Sequence, residues 1–395
     1  MSDHLLSTLD PAQRVLMGPG PSIVPPRVLA ALAKPTLGHL DPDYLAIMDR
    51  VGTMLRRVFR TENRLTLAIS GTGSAGMETC VVNLIEPGER MVVCVAGVFG
   101  ARMAEVARRA GADLRVVEVP WGEVASAQQI AQALDEHPGT RVVGVVHAET
   151  STGAQQPLEA IARRVRDAGA LLLVDAVTSL GGIELRVDDW SIDACYSGTQ
   201  KCLSCPPGLA PVTFSPAAEE KIAGRTAPVR SWYLDMNLIR AYWGGQRAYH
   251  HTAPINMTYG LHEALALVLE EGLDRRIERH SRHHRALRAG LEALGLGYIP
   301  THSLSTLNAV SVPAGVDDQR LRSRLLDDWG IEIGAGLGPF AGKAWRIGLM
   351  GESARRRNVD LLLGALGTLL RAEGLALDPG SGLAAAAHVY LHWAA

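Results

Sequence analysis

The chain carries no excess of either charge: 39 Lys and Arg stand against 41 Asp and Glu, a formal net charge of -2 over 395 residues. That balance argues against nucleic acid or an anionic membrane as partner, and a small, locally bound substrate is expected instead. Cysteine is sparse and odd in number. Cys80, Cys94, Cys195, Cys202 and Cys205 fit a reducing compartment better than a disulfide framework, so a cytoplasmic location is expected. Long apolar runs are missing as well. The stretch 383–395 is apolar but too short to span a bilayer, and is expected to be a packed or frayed extension. Met1-Ser-Asp-His-Leu-Leu shows neither a basic segment followed by an apolar core nor an Arg-rich, acid-poor amphipathic pattern, so it is expected to be an arm and not a targeting signal. No repeat and no low-complexity linker is visible.

What is present suits a large core: 47% of residues are apolar and 20% charged, enough for two domains. From Leu65 to Tyr196, short apolar runs (Leu65-Ile69, Met91-Val95, Leu114-Val117, Val142-Val146, Leu171-Val174) alternate with amphipathic segments. The alternation predicts an α/β fold, a largely parallel sheet covered by helices on both faces. Asp41-Pro-Asp opens a helix through Ile47, Val51 and Leu55, and another follows Met257 to Leu269. After Gly272 the pattern changes to a strongly charged helix, then Leu307-Val312, a helix near Leu321 to Trp329, Ile331-Ile333, Ala344-Ile347 and a helix from Arg355 to Leu370. The expected division is an arm (1–22), a large domain (23–271), a smaller C-terminal α+β domain (272–377) and an extension (378–395).

The chemistry centres on Lys201. Ser-Gly-Thr before it and Pro-Pro-Gly soon after continue neither helix nor strand, so Lys201 is expected on a tight loop following the short strand Ala194 to Tyr196. Shortly upstream, the run Leu171-Leu-Leu-Val-Asp175 ends in a carboxylate. An amine nucleophile with a strand-end acid suggests pyridoxal phosphate, which needs a lysine to hold its aldehyde as a Schiff base and an acid to keep its pyridine nitrogen protonated. Singly, each residue is more often a solvated lysine or a turn-forming Asp.

Gly71-Thr-Gly-Ser-Ala-Gly76 is a literal G-x-G-x-x-G between a predicted strand and a predicted helix, so a dinucleotide must be weighed. That fold wants an Asp or Glu at the end of the next strand, and Met91-Val-Val-Cys-Val-Ala-Gly97 has none. The same loop can instead present Thr72, the Gly73 amide and Ser74 to a phosphate at a helix N-terminus.

These segments resemble the class V, fold-type I aminotransferases, and most closely the alanine:glyoxylate and serine:pyruvate aminotransferase family. The resemblance runs from about Val15 to about Leu370. It is carried by Gly18-Pro-Gly-Pro-Ser22, Ser70-Gly-Thr-Gly-Ser74, His147-Ala-Glu-Thr-Ser-Thr-Gly153, Val174-Asp175, Gly198-Thr-Gln-Lys201, Tyr249-His-His-Thr252 and Trp345-Arg-Ile-Gly348, in the family's order. It implies a homodimer and a pyridoxal-phosphate site in which Lys201 and Asp175 are catalytic. Thr72, Gly73, Ser74, Phe99, Thr150, Val177 and Gln200 would bind cofactor, with Phe99 stacking on its ring where the family has a larger aromatic. Gly97 and Gly100 are expected to give that loop room. Tyr249 and Thr252 would reach the neighbouring subunit's cofactor phosphate, and Gly20 and Arg346 would bind substrate, Arg346 through the α-carboxylate.

The resemblance further implies alanine or serine as amino donor and glyoxylate or pyruvate as acceptor. A ureidoglycine:glyoxylate aminotransferase is the closest rival, since Trp121-Gly-Glu-Val, Gly198-Thr-Gln-Lys-Cys-Leu-Ser204 and Ala210-Pro are also like that branch. That branch tends to carry amides where this chain has His39 and Tyr249. A lyase or desulfurase of the same fold is a further alternative, although none of the five cysteines falls in an evident long mobile loop. No metal is expected. His250 and His251 are adjacent and so should point apart on any regular element, and Cys202-x-x-Cys205 has no second pair. The basic run Arg275 to Arg285 is expected to be a helix with one buried stripe, marked by Leu273, Ile277 and Leu287, and a solvated charged face.

Overall fold

A computed structural model describes residues 8–393. The expected arm is therefore described only from Thr8 onward, and the reading of Met1 to Leu6 as non-signal lies outside the described residues. Seven strands form the main sheet, in the order Leu65–Ser70, Leu209–Phe214, Ala194–Tyr196, Leu171–Asp175, Val142–Val146, Arg90–Val95 and Asp113–Glu118. Leu209–Phe214 is antiparallel to both neighbours, and the remaining pairs are parallel. Five of the strands coincide with the predicted apolar runs. Leu209–Phe214 was not anticipated, because Pro211 in its middle argues against a central strand.

Strand alternation divides the core between two faces. Val92, Cys94, Val143, Val145, Leu172, Val174 and Cys195 pack on one side, and Met91, Val93, Val95, Val142, Val146, Leu173, Ala194 and Tyr196 on the other. The helix Pro42–Phe59 starts as its sequence predicts, with the Asp41 carboxylate accepting from the Asp43 amide at 2.8 Å and Pro at the first position. Met48, Val51 and Leu55 form its buried stripe.

A second, antiparallel sheet joins Leu307–Ser311, Ala344–Gly348 and Gly334–Ala335. It packs with the helices Leu273–Ala293, Asp318–Trp329 and Arg356–Ala372 around Leu287, Leu321, Trp345, Leu362 and Leu366. The segment before Ser22 is tied to this second unit. Val15–Leu16 pairs in parallel with Ile331–Glu332, and the Gly348 amide donates to the Met17 carbonyl at 2.7 Å. A Cβ on Gly334 would lie 2.5 Å from the Pro19 ring, so the absence of a side chain there admits the crossing segment.

The extension forms the helix Ser381–Leu391, packed against Leu273–Ala293. Tyr390 is buried, its hydroxyl 2.9 Å from His283 Nδ1, and the Arg356 guanidinium lies 4.8 Å from the Tyr390 ring.

The basic run departs from expectation. Arg276, His280, His283 and His284 are buried, while Ile277 is only half-buried. The inward stripe is therefore polar as far as His284 and becomes apolar beyond it, at Ala286, Leu287 and Leu291. Apolar spacing could not reveal this, since the partners that satisfy these groups come from elsewhere in the chain.

Candidate active site

Asp175 closes its strand beside Tyr196, its register partner on the neighbouring parallel strand. The Tyr196 hydroxyl donates to Asp175 Oδ2 at 2.7 Å and the Val177 amide to Oδ1 at 2.8 Å. Burial pushes the Asp175 carboxyl up to about 6, opposed by those two hydrogen bonds. Lys201 lies five residues past Tyr196 on an irregular loop, its Nζ donating to the Pro19 carbonyl. Burial pulls the Lys201 amine down to about 8. Asp175 and Lys201 attract each other, but for both groups that attraction is weak beside the effect of burial. They stand as two separately tuned groups and not as an ion pair.

Two backbone segments flank the loop that carries the amine. Gly20 has φ +100° and a Cβ there would lie 2.5 Å from Lys201 Nζ, so only glycine lets this turn pass. Ser22 Oγ donates to the Lys201 carbonyl at 2.7 Å, and the Ser22 amide to the Gln200 carbonyl at 2.8 Å. On the far side, the helix Gly73–Leu84 begins against the same loop: a Cβ on Gly73 would stand 3.2 Å from Val177 Cγ2 and 3.6 Å from Gly198 Cα. Thr72 is the N-cap residue of that helix but its side chain makes no capping bond. Thr72 and Ser74 expose hydroxyls beside the first-turn amides, and Arg102 Nη1 donates to Ser74 Oγ at 3.4 Å.

Arg346, 8% exposed, projects from the middle strand of the second sheet. Its Nε donates to the Ala335 carbonyl at 2.6 Å and its Nη1 to the Thr150 carbonyl at 3.3 Å. Among the described residues it has no carboxylate within salt-bridge distance. Burial lowers its pKa, and buried Glu149 raises it. Thr150 thus bridges the His147–Gly153 segment and the second unit.

Glu149 was quoted only as part of a motif, with no role assigned. It is buried and accepts from Ser151 Oγ at 2.5 Å, the Ser151 amide at 3.1 Å, the Phe99 amide at 3.1 Å and the Gly100 amide at 3.2 Å. Burial raises its pKa against those four donors. Gly97 has a different task from the one expected of it. A Cβ there would come within 2.6 Å of the Glu149 carboxyl carbon, and one on Gly100 within 2.7 Å of the Cys94 carbonyl. The glycines admit the carboxylate and the strand, and Phe99 sits in the first turn of the helix Val98–Ala110 and not on an open loop. Tyr196, Pro19, Ser22 and Arg102 were also missed, because their proximity is a product of chain crossing. Glu149 alone had a local signal, an acid in an otherwise neutral motif at a strand end.

The contacts above bring Gly20 to Lys201, Asp175 and Gly73 to Val177, and Arg346 to Thr150, with Gln200 next to Lys201 in the same loop. Tyr249 and Thr252 are not gathered: Tyr249 is 61% exposed, Thr252 is exposed, and Tyr249 meets His39 with ring centroids 5.0 Å apart. His250 and His251 do not point apart. Their Nδ1 atoms lie 2.7 Å from each other, and His251 Nε2 lies 2.6 Å from Ser70 Oγ. The segment is irregular, so strand alternation does not apply. No cluster of three or more potential metal ligands occurs among the described residues.

The donor set fits pyridoxal phosphate. Thr72, Gly73 and Ser74 offer hydroxyls and amides to a phosphate at a helix start, Asp175 offers an acid, Lys201 offers an amine near neutrality, and Gln200 Oε1 is buried with no partner.

The model of the aminotransferase class-V family matches residues 15–342. The (S)-ureidoglycine–glyoxylate transaminase of Bacillus subtilis (strain 168) is 40% identical over 397 residues, covering 95% of each chain. The alanine–glyoxylate aminotransferase of Callithrix jacchus is 41% identical over 368 residues, covering 92% of this chain and 89% of its own. A solved structure of alanine–glyoxylate aminotransferase from Nostoc sp. is 47% identical with a TM-score of 0.90, covering 94% of this chain and all of that one.

Proposed function

We propose that this chain, which belongs to the class-V aminotransferases, moves the amino group of a small amino acid, alanine or serine, to glyoxylate or pyruvate. The observation that carries the proposal is the buried Asp175 at its strand end and the half-buried Lys201 on the loop after the neighbouring strand, each tuned by desolvation toward neutrality. Pyridoxal phosphate, when bound, supplies an aldehyde for the substrate amine and a ring that accepts electron density. Lys201 would hold that aldehyde. Released by an incoming amine, its Nζ would take a proton from substrate Cα and return it to the former aldehyde carbon on the far side of the substrate nitrogen, a task suited to an amine with a pKa near 8. Asp175 would keep the proton on the ring nitrogen. Thr72, Gly73 and Ser74 would bind the phosphate, and Phe99, Thr150, Val177 and Gln200 would border the ring.

Arg346 would orient the substrate by its carboxylate. Its guanidinium is buried, anchored through Nε and Nη1 to two carbonyls, and lacks a protein carboxylate. A carboxylate ligand supplies that missing charge partner. Tyr249 and Thr252 are exposed on the single chain, which supports a role across the interface of a homodimer, where they would meet the partner's cofactor phosphate.

Glyoxylate is the acceptor in the names of the relatives, whereas the donor differs among them. The similarity to the Bacillus subtilis enzyme favours ureidoglycine as a second reading. Against it, His39 and Tyr249 pack as two rings and offer less of the paired donor and acceptor that a ureido group needs. Borohydride reduction of the protein with pyridoxal phosphate, followed by peptide mapping, should place the label on Lys201. Half-reactions of the loaded enzyme with L-alanine, L-serine and ureidoglycine should favour the first two. A label confined to another lysine would remove the assignment, and a preference for ureidoglycine would replace the donor.

A further inference from the structure

The polar stripe of the helix Leu273–Ala293 faces the loops that carry the site. Arg276, 6% exposed, uses all three nitrogens of its guanidinium. Nε donates to the Gly181 carbonyl at 3.0 Å, in the segment that follows Asp175. Nη2 donates to the Cys202 carbonyl at 2.6 Å, one residue past Lys201. Nη1 meets Glu271 Oε2 at 2.6 Å.

The next turn of the helix continues the joint. Arg279 Nε meets the other Glu271 oxygen at 2.6 Å, and its Nη1 donates to the carbonyls of Gly351 at 3.0 Å and Ala354 at 2.6 Å. These two carbonyls belong to the turn just after the strand of Arg346. His280 Nε2 accepts from the Gly351 amide at 2.9 Å, which leaves Nδ1 as the donor to the Arg276 carbonyl at 2.7 Å. Gly351 has φ +52°, and a Cβ there would stand 2.7 Å from the Cys202 carbonyl. The Glu352 amide closes the circuit by donating to Ser204 Oγ at 2.7 Å.

We propose that Arg276 is a positioning residue for aminotransfer: its planar fork fixes the segment after Asp175 to the segment after Lys201, and Glu271 and Arg279 extend the same joint to the turn after Arg346. The inference rests on the roles proposed above for those three side chains. A guanidinium can do this because its donors diverge in one plane and reach three acceptors from one rigid group, which a lysine ammonium on a flexible stem cannot reproduce. Burial makes the arrangement demanding. The carbonyls of buried Gly181 and Cys202 that lose their donor here have no water to turn to, so the loops must shift to recover a partner. Misplacing reacting groups by about 1 Å costs up to roughly a hundredfold in rate.

The test compares the loaded wild-type enzyme with Arg276→Lys, Arg276→Met and Glu271→Gln. Leu362→Ala serves as a control, a buried position in the second core that makes none of these hydrogen bonds. Three quantities are read: thermal midpoint, kcat and KM with L-alanine, and the pH midpoint of the bound cofactor's visible absorbance, which reports the proton beside Lys201. Both Arg276 variants should lower kcat between about tenfold and a hundredfold and move the absorbance midpoint, with Glu271→Gln following in the same direction to a smaller extent. Leu362→Ala should lose thermal stability and leave the absorbance midpoint in place. Wild-type kcat and absorbance titration in Arg276→Lys would overturn the inference, as would an equal displacement of both in Leu362→Ala. If the Arg276 variants fail to fold, Glu271→Gln decides by the same two readings. Wild-type protein that takes up no cofactor would instead end the functional proposal itself, a separate outcome from a normal Arg276→Lys.

Discussion

Asp175→Asn should separate what serves folding from what serves the cofactor. In the cofactor-free protein Asp175 is 3% exposed, and its pKa stands at about 6 against an ordinary 3.8. For an acid, a raised folded-state value means that ionisation opposes folding. The carboxyl costs nothing below its unfolded pKa, and the cost grows as pH rises, reaching its full size above about 6. That full cost is about 3 kcal/mol at 1.36 kcal/mol for each tenfold change. An amide of the same shape carries no charge, and it can still accept from the Val177 amide and donate to the Tyr196 oxygen. The cofactor-free Asp175→Asn protein should therefore melt higher than wild type at pH 8, by something on the order of 5 °C. The gain should shrink to nothing as pH falls toward 4. Added pyridoxal phosphate should reverse the order, because a protonated ring nitrogen gives the wild-type carboxylate the partner it lacks and gives the amide none. The assay is thermal unfolding at a series of pH values, with and without cofactor. A stability difference that does not change with pH, or an equal cofactor-induced rise in both proteins, would refute the reasoning.

Arg346→Ala removes a guanidinium placed for two charge-assisted hydrogen bonds to a carboxylate, each worth roughly 1.5 to 3 kcal/mol. Stopped-flow half-reactions with L-alanine should show kcat/KM reduced at least about a hundredfold with cofactor affinity nearly unchanged, and Arg346→Lys should recover only part; loss of cofactor with normal reactivity at saturation would make Arg346 structural. Glu149→Gln opposes an amide NH2 to backbone donors on at least one side of the old carboxylate. Two lost bonds to a charged acceptor should cost about 3 kcal/mol or more, read by denaturant unfolding, and the visible signal of bound cofactor should weaken through Phe99. A variant as stable as wild type would mean that the helix Val98–Ala110 holds its own start.

The α/β class, six of the seven main strands and the helices around them were legible in the sequence because each buries a face whose period is written locally. Lys201, Asp175 and the helix start at Gly73, the residues proposed to hold the cofactor, were legible as candidates for a related reason. Strand ends, glycine turns and helix caps are short-range devices, and in an α/β sheet the ends of neighbouring strands converge whatever the loops between them do. The resemblance to the class-V enzymes added Arg346, which no local pattern marks as more than an ordinary arginine. Tertiary structure alone decided the rest. It brought Tyr196 to Asp175, carried Pro19 and Gly20 across Lys201, set Glu149 under the start of the Phe99 helix, and turned Arg276 inward where its sequence suggested a solvated face. A buried polar group is satisfied by acceptors hundreds of residues away as readily as by near ones, so its direction depends on how the chain crosses itself and leaves no periodic trace.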